Sequence, residues 1–258
     1  MMTCNHVSFL AKARTFWLIL FLLLTASGLV NAQSDEDCMM CHEDRELSGL
    51  LNGGTVSMFV DTSIFSHSVH HSNTCISCHT DAADEGFPHA DDLNPVNCGN
   101  CHTVEATENR RGVHGQALLS NDPNAPSCKE CHGHHDILHN SNVESRTYKM
   151  NIPYLCGNCH KEGAPVARVY NISEHDILTN YSQSIHGTGL FQQGLIVTAT
   201  CNDCHGNHLV LPHTYTRSSV SASNIAGTCM KCHARIEEVH TKIIRGELWE
   251  QEPGAIPG

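Results

Sequence analysis

Apolar residues come singly or in short runs along most of this chain, with three exceptions. The longest is TFWLILFLLLTASGLV at 15–30, preceded by Lys12 and Arg14 and followed by Asn31 and Ala32. A basic start, an apolar centre and small residues ahead of a cut after Ala32 predict a cleaved signal peptide over 1–32. The run, about 16 residues long, is short against the ~20 needed to span a bilayer, so an uncleaved membrane anchor is the weaker alternative. The second exception, NGGTVSMFV at 52–60, puts Gly-Gly before Val56, Met58 and Val60 at period two. That spacing predicts one short strand or hairpin. The third, MKCHARIEEVHTKIIR at 230–245, places Ile236, Val239, His240 and Ile243 at helical spacing. It predicts a helix with His240 on the buried side. Elsewhere scattered Pro and Gly predict short helical turns joined by extended links.

Composition makes such a chain hard to fold on aliphatic packing alone. Aromatic residues are 5% of the 258 and charged residues 16%, while there are 15 Cys and 21 His. So little Phe, Tyr and Trp leaves the interior to be filled by cross-links, metals or a bound group. Without the signal, 13 Lys+Arg face 27 Asp+Glu, a formal charge of −14. A nucleic-acid partner would need clustered Lys and Arg and is excluded on that ground; the plainest use of the charge is solubility.

Once Cys4 leaves with the signal, 14 cysteines remain, and all fall into seven C-x-x-C-H units. The cysteines are Cys38, Cys41, Cys75, Cys78, Cys98, Cys101, Cys128, Cys131, Cys156, Cys159, Cys201, Cys204, Cys229 and Cys232. The histidines that follow the pairs are His42, His79, His102, His132, His160, His205 and His233. C-x-x-C-H is the attachment signature of c-type haem: two thiols bond one edge of the macrocycle and the adjacent imidazole reaches its iron. Zinc sites, thioredoxin-like sites and disulfide frameworks also use C-x-x-C, but none requires His next. Seven chance histidines would arise at a frequency on the order of 10⁻⁸. Seven covalently bound haem c groups are therefore expected, about one per 32 residues of the mature chain. Their faces would supply the missing core, and the chain without them is not expected to fold.

An internal repeat sorts the remaining histidines. Residues 128–160 align with 201–233 at an offset of 73 without gaps. Both begin CxxCHGxH, both carry Asn-Ile four residues before the next cysteine, and VHG (113–115) and IHG (185–187) precede them. This predicts a duplicated two-haem module. His135 then matches His208 and His114 matches His186, whereas His134 and His139 have no counterparts. For the distal side of the seven irons the expected ligands are His70, His89, His114, His135, His186, His208 and His240, with His67, His175 and His213 in reserve. Met58 and Met150 are the only methionines of the mature chain outside the attachment motifs, so bis-His iron is expected throughout.

On these motifs the mature chain resembles the multihaem c-type cytochromes of anaerobic respiratory bacteria. IFSHSVH (64–70) is similar to the approach to the first haem in small tetrahaem low-potential cytochromes, a likeness that adds weight to His67 and His70 as distal ligands. The next motif ends CHT instead of CHH, so that family's third distal ligand has no match. The S-x-HG, CHGxH and CxxCH blocks look more like the larger cytochromes of metal- and sulfur-cycling bacteria. In similar proteins the run after RGELWEQEPGAIP continues into another CxxCH, so a naturally short chain and one truncated before an eighth haem are both alternatives here.

The expected fold class is a multihaem cytochrome c: a haem-packed core, short helices and loops with very little sheet, and an elongated chain of haems. Its parts would be a three-haem segment over 33–102 and the duplicated two-haem modules over 103–258. The expected function is outer-sphere electron transfer in anaerobic respiration, without catalysis, by a protein exported to the periplasm or cell surface. Its expected partners are a quinol-oxidising membrane complex or other cytochromes, with membrane contact only peripheral or through an uncleaved anchor. The alternatives are a reductase of nitrite, hydroxylamine or a sulfur oxyanion, which needs an open iron position, and a filament-forming cytochrome.

Overall fold

The structure, a computed structural model, describes residues 34–51, 54–83, 88–90, 93–170 and 176–233. The expected signal peptide over 1–32, His175, His240 and the predicted helix beyond 233 lie outside these residues. Among the described residues no helix is long and apolar enough to cross a membrane.

Short helices and loops make up the fold, with one two-stranded sheet among the described residues. In chain order the helices are α1 (Asp35–His42), α2 (Thr62–Phe65), α3 (Cys75–Cys78), α4 (Thr103–Arg111), α5 (Val113–Leu119) and α6 (Cys128–His132). They continue as α7 (Ile152–Gly157), α8 (Pro165–Val169), α9 (Ile177–Gln183), α10 (Ile185–Phe191), α11 (Cys201–His205) and α12 (Ile225–Met230). Each attachment motif sits on a helix, a 3₁₀ turn or the turn that follows, in keeping with the expected helical turns. Residues 231–233, expected to begin the C-terminal helix, instead follow α12 as a turn and bend.

The predicted hairpin is present but begins earlier than its apolar pattern implied. Strand β1 (Ser48–Leu51) pairs antiparallel with β2 (Gly54–Ser57), from Ser48 opposite Ser57 to Leu51 opposite Gly54. Of the alternating positions only Val56 lies in a strand. Met58 N donates instead to Leu47 O at 3.0 Å, and Val60 N to His42 O at 2.7 Å. These bonds clamp the segment after the hairpin against the end of α1, where His42 stands.

Aliphatic packing is as thin as the composition implies. Among the described residues the buried hydrophobic side chains are Ile152, Ala164 and Leu190. Burial of a Leu or Ile contributes about 1.5–3 kcal/mol, against roughly 1–2 kcal/mol of backbone entropy for each ordered residue. A small aromatic cluster adds to them: Phe191 lies 5.1 Å from Tyr154 and 5.9 Å from Tyr181, ring centre to ring centre. Several of the other buried residues are hydroxylic, including Ser68, Ser145, Thr200 and Ser218, and they brace loops.

That bracing recurs along the repeat. Ser145 Oγ donates to Leu138 O at 3.2 Å, and Asn151 Nδ2 to Val143 O and Ser145 O at 3.0 and 2.8 Å. At the same offset, Ser218 Oγ donates to Leu211 O at 3.1 Å, and Asn224 Nδ2 to Thr216 O and Ser218 O at 2.7 and 2.9 Å. Upstream, α4 packs on α5 as α9 packs on α10. Both hairpins close on a glycine, because a Cβ at Gly115 would collide with Asn109 O and one at Gly187 with Tyr181 O.

Candidate functional site

The attachment segments carry their own start and stop signals. At α6 the Glu130 carboxylate accepts from Ser127 N at 2.6 Å; at α11 the Asp203 carboxylate accepts from Thr200 N at 2.7 Å. At α1, Asp37 does the same for Ser34 N at 3.0 Å. These reciprocal caps satisfy amides at the helix start, within four residues of the first cysteine. The sequence carries the signal for them, Ser or Thr three residues before Asp or Glu. At the other end, Gly133 and Gly206 take φ of +87° and +84° directly after His132 and His205. Only glycine adopts these angles without strain, and the turn leads the chain straight to His135 and His208.

No disulfide joins any of the fourteen motif cysteines. Those of successive motifs lie close together. The Cys156 thiol is pushed up by its hydrogen bond to Cys201 and by burial. Burial first, then the Asp35 carboxylate, pushes Cys75 up to about 12, and Asp35 also accepts from Cys75 N at 2.8 Å. Among the described residues no group of three or more Cys, His, Asp and Glu could hold a metal ion. A tetrahedral zinc centre needs at least three such ligands, so the described residues do not fit the zinc scheme.

The histidines do come together, in pairs. His42 faces His89 with ring centres 6.0 Å apart, and His79 faces His135 at 6.3 Å. His102 faces His70 at 5.9 Å and His132 faces His208 at 6.1 Å. His160 faces His114 at 6.2 Å, and His233 faces His186 at 6.0 Å. Each pair joins one motif histidine to one of the residues expected opposite it, and no residue is used twice. His205 has no ring partner among the described residues.

The spacing is what a metal ion between two rings requires. Trans imidazoles put their nitrogens about 2 Å from a metal and their ring centres roughly 1.1 Å farther, hence about 6.2 Å centre to centre. Ring stacking alone does not account for it, because the interplanar angles run from 8° to 61° while the distance stays within 5.9–6.3 Å. Burial pushes His79, His114, His132, His135, His160 and His205 down from the usual imidazole value. The shift favours the neutral imidazole, the form that can ligate. His160 Nδ1 is buried without a hydrogen-bond partner. The Nδ1 atoms of His42 and His89 lie 2.7 Å from the carbonyls of Met58 and Ala90, to which Nδ1–H donates, leaving Nε2 as the free donor atom. These residues fit haem iron, which asks only two axial ligands of the protein.

The other described histidines face no motif histidine. His67 Nδ1 donates to Ser63 O at 2.7 Å and His71 Nδ1 to Ser68 O at 3.0 Å. His67, to which the tetrahaem likeness gave weight, faces no motif histidine among the described residues. His134 and His139 are exposed, His139 lying 2.8 Å from Ser141 Oγ, and the reserve His213 is exposed as well. One charged group near the pairs was not anticipated: a Glu108 carboxylate oxygen lies 4.0 Å from His208 Nδ1. No sequence signal ties these two, since they belong to different copies of the repeat. No family model, curated protein or solved structure matches the chain.

Proposed function

We propose that this chain is an exported multihaem cytochrome c that carries electrons along a row of bis-His haems. The single observation that carries the reading is the set of six imidazole pairs, each joining the histidine of a C-x-x-C-H unit to a second histidine with ring centres 5.9–6.3 Å apart. Haem c supplies one-electron cycling between ferrous and ferric iron. The chain's own residues do the rest: paired cysteines anchor each group by an edge, and the motif histidine holds it from one side. The facing histidine would supply the second ligand to the iron, which would leave no position for substrate and favour transfer over catalysis. Neighbouring cysteine pairs, such as Cys156 with Cys201, bring successive groups close. The partners proposed are a quinol-oxidising membrane complex or other cytochromes, met in the periplasm or at the cell surface.

Two measurements on the purified, natively matured protein test this. The intact mass should equal the chain from Gln33 onward plus seven haems. Electron paramagnetic resonance of the oxidised protein should show low-spin ferric iron. A mass without haem would sink the reading. High-spin signals as a major component would move it to the reductase alternative.

A further inference from the structure

Arg111 and Arg217 belong to a chain with 15 Lys+Arg against 27 Asp+Glu, yet among the described residues neither has an ion-pair partner. Both line one cavity of about 370 Å³. Leu209 and Leu211 give it an apolar wall, and Thr214 and Thr216 add hydroxyls. The volume is that of a small-molecule site. Guanidiniums recognise carboxylates by paired hydrogen bonds, and an apolar wall beside them suits an anion borne on an apolar body.

The cavity lies where the two copies of the repeat meet. Arg111 ends α4 of the first copy, and the next residue, Gly112, packs against His208 O and Val210 of the second. Val113 N donates to Val210 O at 2.9 Å across the same junction. Arg217 stands in the second copy's loop. The corresponding loop of the first copy is different: Glu144 occupies the place of Arg217 and Asp136 that of Leu209. There Arg146 is tied to Asp136 at 2.9 Å. A structural duty common to both copies therefore does not account for Arg111 and Arg217.

We propose that this cavity is a carboxylate-binding site in which Arg111 and Arg217 pair with carboxylates carried on an apolar body. The nearest source rests on the haem reading: Leu209 follows His208, and a haem held between His132 and His208 carries propionate carboxylates. A free dicarboxylate is the second source of the same chemistry.

The test uses the full-length holoprotein and its R111Q/R217Q variant, with R217K as a milder change that keeps the charge. Intact mass is measured first, so that a missing haem is seen separately from a missing carboxylate site. If propionates occupy the cavity, R111Q/R217Q lowers one midpoint potential, because two cationic groups that disfavour ferric iron are gone. R217K then stays near the wild-type potential, and succinate shows no binding by calorimetry. If the ligand is free, succinate binds the wild type saturably, R111Q/R217Q abolishes that binding, and the potentials do not move. Unchanged potentials together with no succinate binding, or with equal binding by wild type and variant, would overturn the proposal.

Discussion

The imidazole of His132 faces that of His208 with ring centres 6.1 Å apart and planes 25° from parallel, although the two belong to different copies of the repeat. The first copy thus takes a facing histidine from the second. His135, the counterpart of His208, in turn faces His79 of the segment before the repeat. The histidine after each CHG turn is handed backward along the chain.

Replacing His208 should therefore change the iron held by His132 and not the one attached beside it. His208→Ala should keep seven haems, since every cysteine pair is intact, and convert one iron from low to high spin. His208→Met should keep it low-spin and raise one midpoint potential, because thioether sulfur favours ferrous iron relative to imidazole. Mass, electron paramagnetic resonance and a redox titration read out all three; a variant indistinguishable from wild type in spin state and potential would contradict the pairing.

The handover makes attachment at one motif matter to another. On the proposed haem reading, Cys201→Ala with Cys204→Ala would remove the group attached at α11, beside the turn at Gly206, and so loosen His208. The expected protein has six haems, one of them, that of His132, with weakened distal ligation. Cys229→Ala with Cys232→Ala also leaves six, but frees only His186, and all six should stay low-spin. Equal spectra for the two variants would argue that the motifs are independent.

Glycine positions separate close approach from open space. Ala at Gly115 or Gly187 must displace the preceding helix from the segment that carries His114 or His186, at about 1–3 kcal/mol. Gly227, in α12, has nothing within 4 Å of a Cβ. Ala there should stabilise by about 0.5–1 kcal/mol through lower backbone entropy. Thermal denaturation of the three holoproteins, with the spin state followed alongside, checks both signs.

Charge is distributed unevenly along the proposed row. Of the mature chain's formal −14, residues 33–102 carry −11, with twelve Asp and Glu against Arg45 alone. Carboxylates favour ferric iron, so the groups held by His42, His79 and His102 should have the lowest potentials. Glu36, Glu43 and Glu46 are exposed near the first motif. Changing all three to Gln should raise the lowest midpoint while leaving the highest in place, and added salt should shrink the difference. The same shift from Glu144→Gln with Glu162→Gln would remove the basis for this ordering.

Much of the site was legible because its chemistry is local. In the proposed reading two thiols and an imidazole reach one macrocycle from five consecutive residues, so spacing alone marks Cys128, Cys131 and His132. The repeat then distinguished His135 from His134, because a side chain kept in both copies is held by something both copies do. The hairpin was legible as an element but not in its bounds, since Met58 and Val60 alternate as in a strand yet bond to Leu47 and His42 outside it. The family likeness that added weight to His67 carries no information about which rings come to face each other, and His67 faces no motif histidine among the described residues.

What the sequence determined by itself is the set of seven C-x-x-C-H units, the repeat at an offset of 73 and the poverty of the aliphatic core. All three follow from residue identity and from separations of a few positions, or from one constant offset. Which imidazole faces which was decided only by the tertiary structure. His160 reaches back to His114 and His132 forward to His208, across loops whose course depends on Ser145 and Ser218 bracing, on the Gly112 contact with His208 O and on the turns at Gly133 and Gly206. A ligand on the far side of a metal is chosen by position in space, and no spacing in the chain encodes that position.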